Sequence, residues 1–386
     1  MGLPRWKGGA PFFHPGSPMP ECLVFRVPAQ HPADVSEVMG LVASGAVDVT
    51  EIVAIFGKTE GNGCVNDFTR QLAVMALETA LATALGCTAA EVGARIALVM
   101  SGGTEGGLSP HFLVLARRDG PAVPEGKALA IGTAFTQEFR AEEIGRMAQV
   151  EATAAAVGRA MAEAGLTDPA DVHLVQVKCP LLTSARIAEA AARGHGVATH
   201  DPYASMGLSR GASALGIALA LGEVDREHLT DSAIGTRRDL FSGRASCSAG
   251  IELMRNEIIV LGNSQGWTGP LAIAHRVMDD GIDLPAIRGV LTDLGFLEAG
   301  QLPPHESERV IALLAKAEPS HDGLIRGRRH IMNDDSDINA TRHARALVGG
   351  VAAAAIGRTD LFVSGGAEHQ GPDGGGPVAV IARVRD

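Results

Sequence analysis

The chain has 386 residues, 46% hydrophobic and 20% charged, which allows two or three compact units with a core of their own. Its 44 acidic against 33 basic residues give a net charge of −11 with no basic cluster, which argues against nucleic acid as a partner. No apolar run approaches the ~20 residues that span a bilayer, and the five cysteines (Cys22, Cys64, Cys87, Cys179, Cys247) are odd in number and irregularly spaced, as suits reduced cytosolic thiols.

Residues 1–21 carry Arg5 and Lys7 but no apolar stretch of a secretory leader, so they read as the N-terminal extension of a cytoplasmic protein. A first unit is expected over 22–120. Its apolar run at 52–57, rich in Val and Ile, predicts a strand that leads to Lys58. Thr69 and Arg70 open an Ala-rich stretch, with Thr69 placed to cap a helix. A second strand-like run at 96–100 leads into Ser101-Gly102-Gly103-Thr104-Glu105. The charged, Pro/Gly-rich string RRDGPAVPEGK then reads as a linker.

A second unit is expected over 121–266, with a strand at 128–134 and an Ala-rich helix at 150–165. The run at 172–177 predicts a strand leading to Lys178. Ser209 and Arg210 stand before the Ala-rich segment 211–221, again as cap and first turn. The unit carries Ser248-Ala249-Gly250-Ile251-Glu252 and ends at 266, before a WTGP turn at 267–270. A third unit, 267–386, repeats the order. Its run at 310–315 before Lys316 is Leu- and Ala-rich and fits a helix end. Thr341 and Arg342 open an Ala-rich helix, and a strand-like run at 361–363 leads to Ser364-Gly365-Gly366-Ala367-Glu368.

Lys, Arg and Ser therefore occur in that order three times, at 58-70-101, 178-210-248 and 316-342-364. One Ser-Gly-Gly string is an ordinary turn after a strand; three ordered triples are an internal repeat. Each unit reads as strands with two helices, an α/β half that needs neighbours to cover its sheet. With 48 glycines and 4% aromatics, tight turns and small-residue packing are expected. Three such units can pack about a pseudo-threefold axis, on which matching side chains converge. Serine offers a nucleophile, neutral lysine a base and arginine a forked donor for carbonyl oxygens. Ser–Lys pairs replace the Ser–His–Asp arrangement without a histidine, and burial among cations lowers a lysine toward a useful base.

The strings GKTEGNGCVNDFTR, VMSGGTEGGLSPH, VQVKCPLLT, SMGLSRGASALGIALA, DDSDINATRHARA and SGGAEHQGPDGGGP closely resemble the cyanuric acid hydrolase and barbiturase family of ring-opening amidohydrolases, over residues 22–384. The resemblance implies an α/β fold of three pseudo-symmetric repeats around a central β-barrel with helices outside. It implies hydrolysis of a cyclic imide-like ring, with Lys178 as base and Ser248 as nucleophile of the second repeat. Ser246 is the rival nucleophile, and the repeat alignment sets Ser248 opposite Ser101 and Ser364. Repeat two alone has Ala249 where the others have Gly102 and Gly365. Substrate contacts are expected from Lys58, Lys316, Arg70, Arg210, Arg342, Ser101, Ser364, Gly102, Ala249 and Gly365. Attack by Ser248 would give an acyl-enzyme, and water would release carboxybiuret, which loses CO2 to give biuret. Cyanuric acid, itself threefold-symmetric, is the expected ring; barbituric acid or another cyclic ureide is the alternative, and a non-catalytic binder the alternative from another class. Similarity further implies a structural divalent cation, Mg2+ or Ca2+, held by Glu318 and by oxygens near Ala367, Gln370, Gly371, Pro372 and Gly375. It also implies a homo-oligomer, a tetramer.

Other motifs carry less. The glycine-rich 365–376 has neither Walker nor Rossmann spacing, so no nucleotide or other organic cofactor is expected. The string at 333–339 lacks the Gly and Glu of an EF-hand loop and reads as a solvated acidic loop. The 13 histidines show no paired zinc spacing. His111 and His369 follow their units' serines and read as loop holders. Cys64, Cys179 and Cys247 lie beside key positions, and Cys179 reads as a packed thiol.

Overall fold

The computed structural model describes residues 18–120 and 126–384. Most of the expected N-terminal extension, the middle of the predicted linker and the last two residues lie outside the described residues.

The first stretch contains β1 (Met19–Pro28), α1 (Ser36–Ala43), β2 (Ile52–Thr59), α2 (Thr69–Leu85), α3 (Ala89–Arg95), β3 (Ala97–Gly102) and β4 (His111–Gly120). The second contains β5 (Ala128–Phe135), α4 (Met147–Glu163), β6 (Val172–Pro180), α5 (Ser184–Ala192), α6 (Pro202–Ala220), β7 (Ala245–Gly250) and β8 (Glu257–Ser264). The third contains β9 (Leu271–Met278), α7 (Leu284–Asp293), α8 (Pro304–Arg309), β10 (Val310–Ala317), a ribbon of β11 (Leu324–Ile325) and β12 (Arg328–Arg329), α9 (Ala340–Ile356), β13 (Phe362–Gly365) and β14 (Gly376–Arg383).

Each stretch folds into one four-stranded sheet, and the three sheets share one topology: β1-β4-β2-β3, β5-β8-β6-β7 and β9-β14-β10-β13. In each, the last pair is parallel and the other two antiparallel. A parallel neighbour needs a long crossover, and α2 with α3, α5 with α6, and α9 lie in those crossovers. β1 starts at Met19, ahead of the boundary expected at residue 22. No ladder runs on to close a single barrel among the described residues; the sheets are joined instead by side chains and by an isolated bridge between Glu21 and Thr268. One apolar cluster takes Phe56, Leu174, Val260, Ile273, Leu314 and Phe362 from all three sheets, and helices cover the other faces. No single helix among the described residues is long and apolar enough to cross a membrane.

Two expectations are corrected. The run before Lys316 is not a helix end but the inner strand β10, paired on both sides, with nearly all its side chains buried. A strand covered on both faces reads as continuous apolar sequence, which periodicity alone cannot separate from a helix. The residues before the three arginines are not N-caps. Asp201 caps α6, with Pro202 after it, so Ser209 and Arg210 fall mid-helix; Asn339 caps α9 through Thr341 N. For α2, Asp67 accepts from both Thr69 N and the Thr69 hydroxyl.

Candidate active site

The common topology places each lysine directly opposite its serine on the parallel neighbour: Lys58 with Ser101, Lys178 with Ser248 and Lys316 with Ser364. Ser246 stands opposite Gln176, one step deeper on the same face. All six Lys and Ser side chains of the triples are buried, and the hydroxyls meet. Ser101 donates to Ser364 at 3.3 Å, and Ser248 and Ser364 share a hydrogen bond of 3.1 Å.

Each lysine also reaches into another sheet, to the carbonyl just before that sheet's serine. Lys58 Nζ donates to Val363 O (2.8 Å), Lys178 Nζ to Met100 O (2.5 Å) and Lys316 Nζ to Cys247 O (2.9 Å). The three differ in what else they hold. Lys58 donates to Ser101 at 3.3 Å and Lys316 to Ser364 at 3.2 Å. Lys178 instead forms an ion pair with Glu252 Oε1 at 2.7 Å and makes no hydrogen bond to Ser248. Burial pushes all three lysines down. Arg345 helps hold Lys58 well below its usual value, Arg210 helps bring Lys316 to about 7, and Glu252 works against the burial of Lys178.

The arginines pass from unit to unit in a ring. Arg70 of α2 donates to Ala249 O (3.1 Å) and Cys64 O (2.7 Å). Arg210 of α6 grips Glu368 with two hydrogen bonds of 2.8 and 2.7 Å. In the third unit the bidentate role belongs to Arg345, which grips Glu105 at 2.5 and 2.7 Å, whereas Arg342 is 40% exposed and reaches Glu105 only at 3.3 Å. Arg345 was not singled out by the repeat pattern. Its signal is present, a second arginine one turn beyond Arg342 on the same helix face. The repeated glutamate, part of the motif but without an expected role, anchors the Arg210 and Arg345 contacts.

The Gly/Ala asymmetry has a steric cause. A Cβ on Gly102 would lie 1.8 Å from Asp67 Oδ2, and one on Gly365 would lie 2.3 Å from both Arg345 Nη1 and Thr341 Cγ2. The Ala249 methyl, by contrast, is present and buried beside Ser248. The neighbouring thiols are poor nucleophiles: burial pushes Cys179 up and Cys247 well above its usual value. His111 is buried in β4 opposite Lys58 and is pushed down to about 4 by burial. His369, at φ 58°, accepts from Gly235 N and donates to Leu240 O, so it holds a loop.

Around the expected cation site, Thr341 donates to Glu318 Oε1 at 3.4 Å, and Glu318 Oε2 is buried without a partner. Burial and the neighbouring Glu368 raise Glu318 to about 7. The Gln370 side chain is committed, accepting from Cys247 N and donating to Gly366 O, which leaves its backbone oxygen as the possible donor. An orphaned carboxylate oxygen beside a carbonyl-rich loop fits a hard divalent cation.

Three like sheets that present Lys–Ser pairs to one buried cluster define an internally repeated α/β protein with a serine–lysine centre. The model of the amidohydrolase ring-opening protein family matches residues 23–383, and the chain belongs to that family. It is 58% identical over 364 residues to the cyanuric acid amidohydrolase of Azorhizobium caulinodans, covering 94% of this chain and 99% of that one. It is 56% identical over 365 residues to the enzyme of that name from Enterobacter cloacae, with the same coverage. Among solved structures, the cyanuric acid hydrolase of A. caulinodans superposes with a TM-score of 0.87 at 57% identity, covering 95% of this chain and 99% of that chain. A second cyanuric acid hydrolase structure gives 0.91 at 51% identity, covering 95% and 100%.

Proposed function

We propose that this chain is a ring-opening amidohydrolase that hydrolyses cyanuric acid, with its three sheets arranged pseudo-symmetrically about the Lys–Ser cluster. The observation that carries the reading is that cluster: three Lys–Ser pairs in identical register, their hydroxyls joined through Ser364. The near-full-length identity to cyanuric acid amidohydrolases supplies the ring. Three like corners suit a substrate whose oxygens and nitrogens alternate with threefold symmetry.

Ser248 is the proposed nucleophile and Lys178 its base. Lys58 and Lys316 occupy the hydroxyls of their own serines, whereas no lysine donates to Ser248. The Ser248–Lys178 contact is one that forms with substrate in place. As Oγ bonds to a ring carbonyl carbon, its proton passes to neutral Lys178. The adjacent ring C–N bond then breaks and the nitrogen takes that proton. Water adds to the acyl-enzyme by the same route and frees Ser248 and carboxybiuret, which loses CO2 to give biuret. Ser101, Ser364 and backbone N–H groups at Gly102, Ala249 and Gly365 hold the ring oxygens and meet the developing oxyanion. Arg70, Arg210 and Arg345 fix the loops that carry these groups.

Glu318 and the oxygens of Ala367, Gln370, Gly371, Pro372 and Gly375 would hold a structural Mg2+ or Ca2+. Its charge would neutralise Glu318 and brace the loop after Ser364.

Parallel assays of ring absorbance with cyanuric and barbituric acid test the reading. Barbituric acid puts carbon where one nitrogen would be, leaving a buried polar group unpaired at about 1–3 kcal/mol, or roughly 5- to 150-fold. Hydrolysis of cyanuric acid with little of barbituric acid is expected. Equal kcat/KM for both would overturn the choice of ring.

A further inference from the structure

The three corners match in sequence and register but differ in where the motif glutamate points. Glu105 and Glu368 make no ion pair with the lysines and are held bidentately by Arg345 and Arg210. Arg70 occupies the matching place for Glu252, yet its Nη1 and Nη2 donate to the carbonyls of Ala249 and Cys64, its buried Nε has no hydrogen-bond partner, and it makes no hydrogen bond to Glu252. Glu252 is thereby left to Lys178, at 2.7 Å, with side chains 4% and 1% exposed. Among the described residues this is the only one of the three site lysines with a carboxylate ion pair.

We propose that Glu252 is a positioning residue which sets Lys178 apart from Lys58 and Lys316, and so selects Ser248 as nucleophile among three equivalent serines. The inference rests on the Ser248–Lys178 reading above. During attack Lys178 gains the Ser248 proton and becomes an ammonium in a buried site. A carboxylate already in contact stabilises that charge and holds Nζ in one place. Lys58 and Lys316 have only neutral acceptors in direct contact. Glu105 and Asp67 act on Lys58, and Glu368 and Glu318 on Lys316, only from a distance, so a proton taken from Ser101 or Ser364 would find no carboxylate in contact.

The surroundings are mixed. Lys178 also faces Arg70 from α2 and Cys179 on its own strand; Glu252 faces Arg70, Arg186 of α5 and Glu257 of β8. Two cations and one carboxyl besides the pair itself therefore act on it, and they remain in a Glu252→Gln variant. The change isolates the Glu252 charge.

The test compares pH profiles of cyanuric acid hydrolysis for the intact chain, Glu252→Gln, Glu252→Asp and Lys178→Ala. A base must be neutral to accept a proton, so activity rises with pH through the Lys178 pKa. Removing an adjacent negative charge lowers that pKa, so Glu252→Gln should move the acidic limb down by about 1–3 pH units. Its plateau kcat should fall about tenfold or more as the ammonium loses its partner. Substrate ionisation is common to all variants and cancels. Glu252→Asp, which keeps the charge, should restore the limb and part of kcat. A wild-type limb and kcat in Glu252→Gln, with Lys178→Ala inactive, would overturn this inference alone. An active Lys178→Ala would overturn the Ser–Lys reading itself. If Glu252→Gln does not fold, Glu252→Asp decides: a wild-type acidic limb with reduced kcat supports positioning by charge, and a limb moved as far as a neutral residue would move it overturns it.

Discussion

The hydroxyls of Ser248 and Ser364 lie 3.1 Å apart, although they are 116 residues apart in sequence and belong to different sheets. Ser101 completes the chain of hydroxyls through the same Ser364. Ser364 is therefore the hub, and a substitution there disturbs both other corners.

Ser248→Ala and Lys178→Ala should each lower kcat by about 10³-fold or more, as for other activated nucleophile pairs. Ser246→Ala should stay within about tenfold of the intact enzyme, because Ser246 faces Gln176 and not a lysine. Steady-state kinetics decide between them. A dead Ser246 variant beside an active Ser248 variant would reverse the assignment.

Arg345 and Arg342 should separate sharply. Arg345→Met breaks a buried bidentate pair and leaves Glu105 only the longer Arg342 contact, which should cost about 3 kcal/mol of stability. Arg342→Lys alters a partly exposed contact worth about 1 kcal/mol or less. Urea unfolding of both variants measures the difference.

Glu257 gives a stability effect with a definite sign. Burial raises it from 4.5 to about 7, while Glu257 Oε2 accepts from Leu98 N of the first sheet. The folded chain thus holds this proton more tightly than the unfolded chain. Its contribution to stability is full below pH 4.5 and is lost as pH rises through about 7. Replacing it by Gln should remove about 1–3 kcal/mol of pH-dependent stability across that window. Denaturation midpoints of Glu257→Gln that keep the full wild-type slope would contradict this.

The proposed cation at Glu318 carries a thermal prediction. Chelation should lower Tm, and added Mg2+ or Ca2+ should restore it in proportion to binding. Glu318→Gln should abolish the response while leaving Ser248 and Lys178 in place. Scanning calorimetry with and without chelator reads both.

Most of the repeat was legible because it depends on local order. Val- and Ile-rich runs form β2 and β6, and the Lys, Arg, Ser succession shows which strands correspond. β10 was not legible as a strand, since its neighbours β13 and β14 come much later in the chain and bury both of its faces. Arg210 was misplaced at a helix start because the cap that decides the matter, Asp201, lies a full two turns upstream.

The sequence by itself determined the family, the strands β2 and β6 and the three Lys–Ser pairings, because the order Lys, Arg, Ser recurs in each unit although the spacing between them does not. Only the tertiary structure decided how the units exchange contacts, Lys178 with Met100, Arg70 with Ala249, Arg210 with Glu368, and Arg345 rather than Arg342 with Glu105, and which glutamate stays within its own unit, Glu252 on Lys178. A repeat offers each arginine three equivalent glutamates and each lysine three equivalent carbonyls. Which of them lies within about 3 Å depends on how the sheets pack around their shared core, and hydrogen bonds act only at that range.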